Sequence, residues 1–386
     1  MLKSIHNDKP LTLGILGGGQ LAKMIANEAY RLGINIAIIE KGENSPAGDM
    51  TKLDFSNGWF DEEELAKFIE VSDVVTLENE FINPDILEKI NQSKKVYPSP
   101  QTMRLVQDKY TQKITFSNAN IKVADYDKLD SIEDAEKFGE INGFPFLMKT
   151  RKLGYDGYGN ATIKSKEDII PAWEKFKSAD SSREIMAEKF INFTKELAVM
   201  VARNVSGEIE VYPCVETIQK NHICNTVIAP AEISESLKIE AQNCAVKCVE
   251  AINGVGVFGI EMFLTIDNQI LVNEIAPRPH NSGHYTIEAC YSSQYENCIR
   301  AVLDLPLGSA EMTVPAAVMI NLLGERDGSG VPTNSTKMLA NKKAFLHLYN
   351  KKQSRKGRKM GHITALGNSQ SEALKTAQKA FDDLIW

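Results

Sequence analysis

What this 386-residue sequence lacks narrows its reading first. It has no excess of positive charge. Lys and Arg number 44 against 51 Asp and Glu, a formal net charge of −7, which argues against general affinity for nucleic acid. It has no apolar run approaching the roughly 20 residues that span a bilayer. Its opening, "MLKSIHNDKPLT", lacks the apolar centre of a signal peptide, so a cytoplasmic location with no membrane partner is expected. Six cysteines are too few for a disulfide framework. Cys244 and Cys248 share a helix-like stretch, but no second close pair follows, so buried thiols are a better reading than zinc ligands. Repeats and low-complexity tracts are also missing.

What remains is ordinary globular composition, 43% hydrophobic and 25% charged, in a chain long enough for two or three domains. Over about the first 100 residues the strand-like runs "LTLGILG", "INIAIIEK", "DVVTLE" and "KKVYPSP" alternate with the helical patterns "QLAKMIANEAYRLG", "DEEELAKFIEVS" and "PDILEKINQ". Such alternation predicts a parallel sheet covered on both faces. "PQTMRLVQDKYTQKITFSNAN" reads as one helix with Met103, Val106, Tyr110 and Ile114 on its apolar face. A compact α+β stretch follows, with strands "IKVADYDKL", "FPFLMKT", "ATIKS" and "EIMAEKFI" and helices "SIEDAEKFG" and "KEDIIPAWEKFKS". From "ELAVMVARN" onward the pattern is hairpin-like: "EIEVYPCVE", "HICNTVIAP", "GVFGIEMFLTID" and "NQILVNEIAPRP". A single helix, "YTIEACYSSQYENCIRAVLD", leads to a strand-like tail with a basic centre and a closing helix, "SQSEALKTAQKAFDDLI". The expected division is 1–118, 119–192 and 193–386.

Four constellations carry chemistry. In "GILGGGQLAKM", Gly17, Gly19 and Ala22 fit G-x-G-x-x-G/A between a strand and a helix, and Glu40 ends the next strand. Free N–H groups at the helix start suit the phosphates of a dinucleotide or a single phosphate, and a plain tight turn gives the same pattern. In "FPFLMKTRKLGYDGYGN", Lys149 ends a buried strand before a glycine-rich loop. This is either a lid that closes over a nucleotide or a surface hairpin with a snorkelling lysine. In "GIEMFLTIDNQILVNEIAPRPHNSGH", a turn joins the strand of Glu261 to one ending in Asn273 and Glu274, so the two carboxylates can lie side by side. Paired carboxylates are hard oxygen ligands suited to Mg²⁺. Arg278, His280, Asn281 and His284 crowd the loop beyond. A polar substrate pocket is favoured over zinc there, because "NSG" is not helical. In "NKKQSRKGRKMGH", Lys351, Arg355, Arg358 and Lys359 form either a solvated loop or a site for a phosphorylated substrate.

In this order the constellations resemble the ATP-grasp superfamily. "GILGGGQLAKM", "DKYTQK", "GYDGYGN", "NEIAPRPHNSGHYTIEAC", "SQYE" and "GRKMGHIT" resemble, more narrowly, the N5-carboxyaminoimidazole ribonucleotide synthetases, from about residue 12 to 367. The resemblance implies an ATP-grasp fold with an N-terminal Rossmann-like domain, a small α+β lid and a C-terminal α+β domain. It implies ATP and Mg²⁺ as cofactors, and 5-aminoimidazole ribonucleotide and bicarbonate as substrates. The chemistry would pass through carboxyphosphate, in a cytoplasmic enzyme of purine synthesis that forms a homodimer. Lys109 and Lys149 would meet ATP phosphates under the loop Gly154–Asn160, which includes Tyr155, Asp156, Gly157 and Gly159. Glu188, Lys189, Phe190 and Ile191 would hold adenine, with Glu196 on the ribose and His222 near the nucleotide. Glu261 and Glu274 would hold Mg²⁺ beside Asn273. Gly19, Gln20 and Glu78 would meet the aminoimidazole ribonucleotide, His284 would belong to its site, and Lys351 and Arg358 would hold its phosphate. Arg278, His280 and Asn281 would line the reacting centre, with Tyr155 and Asp156 reaching it from the lid.

Three departures from the family pattern stand out. The usual loop G-G-Y-D-G-[RK]-G has Leu153 for its first glycine and Tyr158 for its cation, with Arg151 and Lys152 the nearest substitutes. Lys356 stands where proline is usual before "GRKMGH". "TLENE" replaces an aromatic-rich segment while keeping Glu78 and Glu80. Other readings are a formate-dependent glycinamide ribonucleotide transformylase, an NAD-dependent dehydrogenase argued from the glycine turn, and an ATP-binding protein without catalysis.

Overall fold

The computed structural model describes residues 9–154, 159–220 and 223–384. Its first sheet holds β1 (Thr12–Leu16), β2 (Asn35–Ile39), β3 (Leu53–Phe55), β4 (Val74–Leu77) and β5 (Lys95–Val96), all parallel, in the order β3-β2-β1-β4-β5. Every residue of β1 is buried, as a central parallel strand requires. Burying each of Leu13, Ile15 and Leu16 contributes roughly 1.5–3 kcal/mol. Helices α1 (Gln20–Arg31), α2 (Glu62–Val71) and α3 (Pro84–Asn91) connect the strands. Asp61 caps α2 by accepting from Glu64 N–H, and Asn83 caps α3 ahead of Pro84.

The expected helix over 100–120 is two helices. α4 (Pro100–Val106) ends at Gln107, and α5 (Lys109–Asn118) starts afresh with Asp108 as its cap, accepting from Tyr110 and Thr111 N–H at 3.0 and 3.2 Å. The break changes which face points inward. Met103 and Val106 are buried as expected, but Ile114 is 36% exposed, while Gln112, Lys113 and Phe116 are buried.

The second sheet is antiparallel: β6 (Tyr126–Leu129), β7 (Phe146–Thr150), β8 (Asn160–Ile163) and β9 (Ile185–Lys189), in the order β6-β9-β7-β8. Helices α6 (Ile132–Asn142) and α7 (Ile169–Ala179) pack together on it over Phe138, Phe146 and Phe176.

The third sheet has nine strands and carries the floor of the site. They are β10 (Phe193–Arg203), β11 (Ile209–Val211), β12 (Val215–Lys220), β13 (Ile223–Ala229), β14 (Gly256–Thr265), β15 (Ile270–Ala276), β16 (Ala316–Leu323), β18 (Ala344–Leu348) and β20 (Lys359–Gly367). Eight of them run β15-β14-β10-β12-β13-β16-β20-β18, and β11 pairs with β10. Two short strands, β17 (Gly328–Ser329) and β19 (Gln353–Ser354), make a separate ribbon beside the basic segment. Helices α8 (Glu235–Ala251) and α10 (Gln294–Val302) pack against β10 and β14, and α12 (Gln370–Asp382) packs against β16 and β20. Short helices α9 (Thr286–Ala289) and α11 (Ser335–Leu339) complete the chain.

Further corrections come from this region. "EIEVYPCVE" is two strands, β11 and β12, rather than one. The expected helix over "YTIEACYSSQYENCIRAVLD" is interrupted between Ala289 and Gln294, where Ser293 caps α10 by accepting from Glu296 N–H. Two strands passed over in the sequence, β3 and the buried β16, take part in the sheets. The "NSG" run, expected to be non-helical, forms a single 3₁₀ turn over Asn281–Gly283. No helix among the described residues is long and apolar enough to cross a membrane.

Candidate active site

A cleft of about 1090 Å³ opens between the three sheets and gathers residues from all of them. Gln20 and Glu78 line it from the first sheet, Lys149, Gly154 and Phe190 from the second, and Glu196, Glu261, Asn273 and Glu274 from the third. Arg278, His280, Asn281 and His284 line it from the loop after β15, and Lys109 from α5. A second hollow of about 800 Å³, between the start of β6 and α6, contains none of the expected site residues.

The carboxylates meet in the β14–β15 hairpin. Glu261 and Glu274 are direct cross-strand partners, and Glu274 lies within β15 rather than at its end. The next pair is Met262 with Val272, so Asn273 is an extra residue in the ladder. Neighbours on a strand normally face opposite ways. A bulge lifts that constraint, and both Asn273 and Glu274 reach the cleft. Burial and then the charge of Glu274 push Glu261 above the usual carboxylate range. Burial also pushes Glu274 up, but the charge and hydrogen bond of Lys109 reverse that and hold it low. Its side chain is 40% accessible and lines the cleft. Lys109 Nζ contacts Glu274 Oε2. The pair therefore has one protein cation and room for another, and its hard oxygen donors fit Mg²⁺. Among the described residues no group of three or more His, Cys, Asp or Glu gathers as a metal site, so phosphate oxygens or water would complete the shell.

Lys113, one helical turn beyond Lys109, enters on the same side. Its Nζ is 3.0 Å from Glu188 Oε1 and donates to the bulged Asn273 carbonyl at 3.2 Å. Lys149 Nζ reaches the other oxygen of Glu188 at 2.8 Å. Glu188 is thus a buried anion shared by two lysines. Burial pushes its carboxyl up, but Lys113 and then Lys149 hold it at about 2. Burial and the neighbouring charge of Lys149 pull Lys113 below the usual lysine range, against the opposing pull of Glu188. Lys189 turns outward to Asp125 at 3.1 Å, while Phe190 lines the cleft and Ile191 is half-buried.

The glycine turn differs from expectation. Gly18 N–H donates to Glu40 Oε2 at 2.6 Å, and Gly19 N–H to Glu78 Oε1 at 3.0 Å. Two carboxylates therefore stand where a phosphate was anticipated, and the dinucleotide reading fails. Gly17 has φ +101, and a Cβ on Gly19 would come within 2.7 Å of Glu78 Oε1. Burial and the nearby Glu40 raise Glu78 above the usual carboxylate range. Such a group recognises donors, amines or hydroxyls, rather than anions. The cations lie elsewhere. Burial and then Arg358 pull Lys351 down to about 8. Arg358 donates to Gln353 carbonyl at 2.7 Å.

In the loop after β15, Arg278 pairs with Glu80 at 2.5 Å. His280 Nε2 is 3.5 Å from Glu261 Oε1, and burial, then Arg278, drive the imidazole down to about 3, so it is neutral. Asn281 is 7% exposed, and neither its amide nitrogen nor its oxygen has a partner among the described residues. A buried amide in that condition suits a polar ligand.

The lid is only partly described. Leu153, in the position of the family's first glycine, keeps a left-handed φ of 61°, which costs a non-glycine residue about 1–2 kcal/mol. Gly159 closes the hairpin by accepting from Thr150 N–H at 2.8 Å. Tyr155, Asp156, Gly157, Tyr158 and His222 lie outside the described residues. Arg151 is not available as a substitute for the loop cation. It holds Asp108 through Nε and Nη2 at 3.0 and 2.6 Å and Glu184 through Nη1 at 2.8 Å.

Three domain families match in chain order: the ribonucleotide synthetase preATP-grasp domain at 11–107, the ATP-grasp domain at 114–295, and the phosphoribosylaminoimidazole carboxylase C-terminal domain at 317–376. The N5-carboxyaminoimidazole ribonucleotide synthase of Bacillus subtilis is 36% identical over 360 residues, covering 93% of this chain and 92% of that protein. The chain belongs to the N5-carboxyaminoimidazole ribonucleotide synthase family. The ATP-grasp fold expected from the sequence stands with it. A family structure from Aspergillus clavatus, in complex with ADP and 5-aminoimidazole ribonucleotide, superposes with a TM-score of 0.88 at 36% identity, covering 97% of this chain and 98% of that one. The phosphoribosylaminoimidazole carboxylase of Ogataea methanolica is 41% identical over 370 residues, but the chain spans only 67% of that longer protein.

Two residues of this synthase-family site escaped the sequence reading. Lys113 lies inside the quoted "DKYTQK" but was given no role. Lys359, which lines the cleft, was read only as part of a basic cluster. The spacing of Lys109 and Lys113 after a capping Asp108 was the available signal.

Proposed function

We propose that the chain is an ATP-dependent carbon–nitrogen ligase of purine biosynthesis. It carboxylates 5-aminoimidazole ribonucleotide to N5-carboxyaminoimidazole ribonucleotide at the expense of ATP and bicarbonate, releasing ADP and phosphate. The observation that carries this is one cleft lined together by the Glu261–Glu274 pair, the lysines Lys109 and Lys149, and the donor-seeking Glu78.

Lys109 and Lys149 bind ATP phosphates, beneath the loop from Gly154 to Asn160 with Tyr155, Asp156, Gly157 and Gly159. Glu188 holds Lys149 in place for that contact, and the chain from Glu188 through Lys189, Phe190 and Ile191 borders adenine, with Glu196 at the ribose and His222 near the nucleotide. Glu261 and Glu274, beside Asn273, hold Mg²⁺, which when bound supplies positive charge against the triphosphate. Lys109 then leaves Glu274 for the phosphates. Gly19 and Gln20 border the aminoimidazole ribonucleotide, and Glu78 accepts from its amine or hydroxyls. Lys351 and Arg358 bind its phosphate. Arg278, His280, Asn281 and His284 surround the reacting centre, where a bicarbonate oxygen attacks the γ-phosphorus and ADP leaves. The substrate amine then attacks the carboxyphosphate carbon, or CO₂ released from it, and phosphate leaves. A closed lid excludes water from that short-lived intermediate. The units 1–118, 119–192 and 193–386 carry substrate, lid and metal hairpin respectively, in a cytoplasmic homodimer.

The test is phosphate release from ATP with and without aminoimidazole ribonucleotide and bicarbonate. Release dependent on both is expected. Release stimulated by formate and glycinamide ribonucleotide instead, or by neither pair, overturns the reading.

A further inference from the structure

The "SQYE" segment has no role in the reaction as set out above. Gln294, its second residue, is wholly buried at the start of α10. Its backbone N–H donates to Thr286 Oγ1 at 2.9 Å, and that hydroxyl donates to Gly283 carbonyl at 2.6 Å. Its side chain reaches the catalytic loop. Oε1 accepts from His280 N–H, and Nε2 donates to His280 carbonyl, both at 2.8 Å. A backbone N–H only donates and a carbonyl only accepts, so the amide has one possible orientation.

The second hydrogen on Nε2 faces His284 Nδ1 at 3.2 Å, and the Tyr295 hydroxyl is 2.7 Å from the same nitrogen. An Nδ1 that meets an amide N–H is an acceptor, so the proton of the neutral ring is on Nε2. His284 is 2% exposed, and burial keeps it neutral. The packing leaves little slack, since a Cβ on Gly283 would come within 2.5 Å of Gln294 Oε1.

We propose that Gln294 is a positioning residue that pins the His280 backbone and locks His284 in its Nε2–H tautomer. His284 lines the cleft, so Nε2–H is the donor it offers to an oxygen of the bound substrate or of carboxyphosphate. Only the identity of that acceptor rests on the reaction proposed above.

The full chain, labelled with ¹⁵N-histidine, reports the tautomer directly, with the His284 signal identified by its loss in His284→Asn. The expected wild-type state is Nε2–H. Gln294→Glu keeps the acceptor for His280 N–H but replaces the donor to His284 with a carboxylate. His284 should then carry a proton on Nδ1, and kcat should fall about tenfold to hundredfold while KM for ATP is unchanged. Gly283→Ala, which displaces the amide, should shift the tautomer in the same direction. A wild-type His284 protonated on Nδ1 overturns the proposal, as does Gln294→Glu with wild-type kcat. A wild type with the Nε2–H ring but no turnover of aminoimidazole ribonucleotide would count against the assigned reaction and leave the tautomer lock standing.

Discussion

Glu188→Gln tests the electrostatic centre of the proposed nucleotide site. One carboxylate serves Lys113 at 3.0 Å and Lys149 at 2.8 Å, with side chains 3%, 3% and 11% exposed in the order Glu188, Lys113, Lys149. Holding that carboxyl at about 2 instead of 4.5 corresponds to roughly 3 kcal/mol, at about 1.4 kcal/mol per unit. Removing one partner of a buried ion pair independently costs about 3–5 kcal/mol. The variant should therefore lose roughly 3 kcal/mol of unfolding free energy at neutral pH, read from reversible urea denaturation. The pH dependence has a definite sign. The folded carboxyl titrates lower than the unfolded one, so its stabilisation is complete above about 4.5 and is lost as pH falls toward about 2. The gap between wild type and variant should close over that window. ATP offers Lys149 a new anion, so saturating ATP should stabilise the variant more than the wild type. Adding Lys113→Met removes one of the two orphaned charges and should restore part of the loss. A Glu188→Gln protein within about 1 kcal/mol of wild type at neutral pH would refute the triad.

Glu261→Gln relieves the repulsion with Glu274. In metal-free buffer its unfolding free energy should be unchanged or about 1 kcal/mol higher, while the Mg²⁺ concentration for half-maximal ATPase rises about tenfold or more. Burial and Arg358 set Lys351 at about 8, so it loses its charge as pH rises through that value. KM for aminoimidazole ribonucleotide should rise above it, and Lys351→Gln should remove the step from the KM–pH profile. With Arg151 committed to Asp108 and Glu184, Tyr158→Arg restores the loop cation and should raise kcat, whereas an unchanged or lower kcat shows that this chain needs none there.

Much of this site was legible because its parts are local. A strand lysine before a glycine loop, and two glutamates flanking a short turn, lie within one hairpin each, and their pairing follows from register. What stayed hidden depended on breaks in pattern or on distant partners. Hydrophobic spacing carried one helix through Gln107 and Asp108 and so turned Ile114 inward, whereas the fold buries Gln112 beside the cleft and Lys113 against Glu188. The capping signal Ser293-x-x-Glu296 was available to mark the start of α10, but the apolar residues on either side masked it. The capture of Gly18 and Gly19 N–H by Glu40 and Glu78 joins residues 22 and 59 positions apart, which no local motif specifies. The bulge at Asn273 is likewise set by pairing across the hairpin rather than by its own identity.

The continuity of the nine-stranded sheet bears on how the protein can be taken apart. The segment 317–376 matches a domain family of its own, yet β16, β18 and β20 are hydrogen-bonded strands of the sheet that carries the Glu261–Glu274 hairpin. Cutting the chain before Ala316 would strip β13 of its partner along Thr226–Ala229 and leave a raw sheet edge ready to pair with other molecules. Sequence modules and physical modules therefore do not coincide here. Shortened versions should aggregate rather than persist as a smaller ATPase, and fusions that extend the chain should spare this boundary.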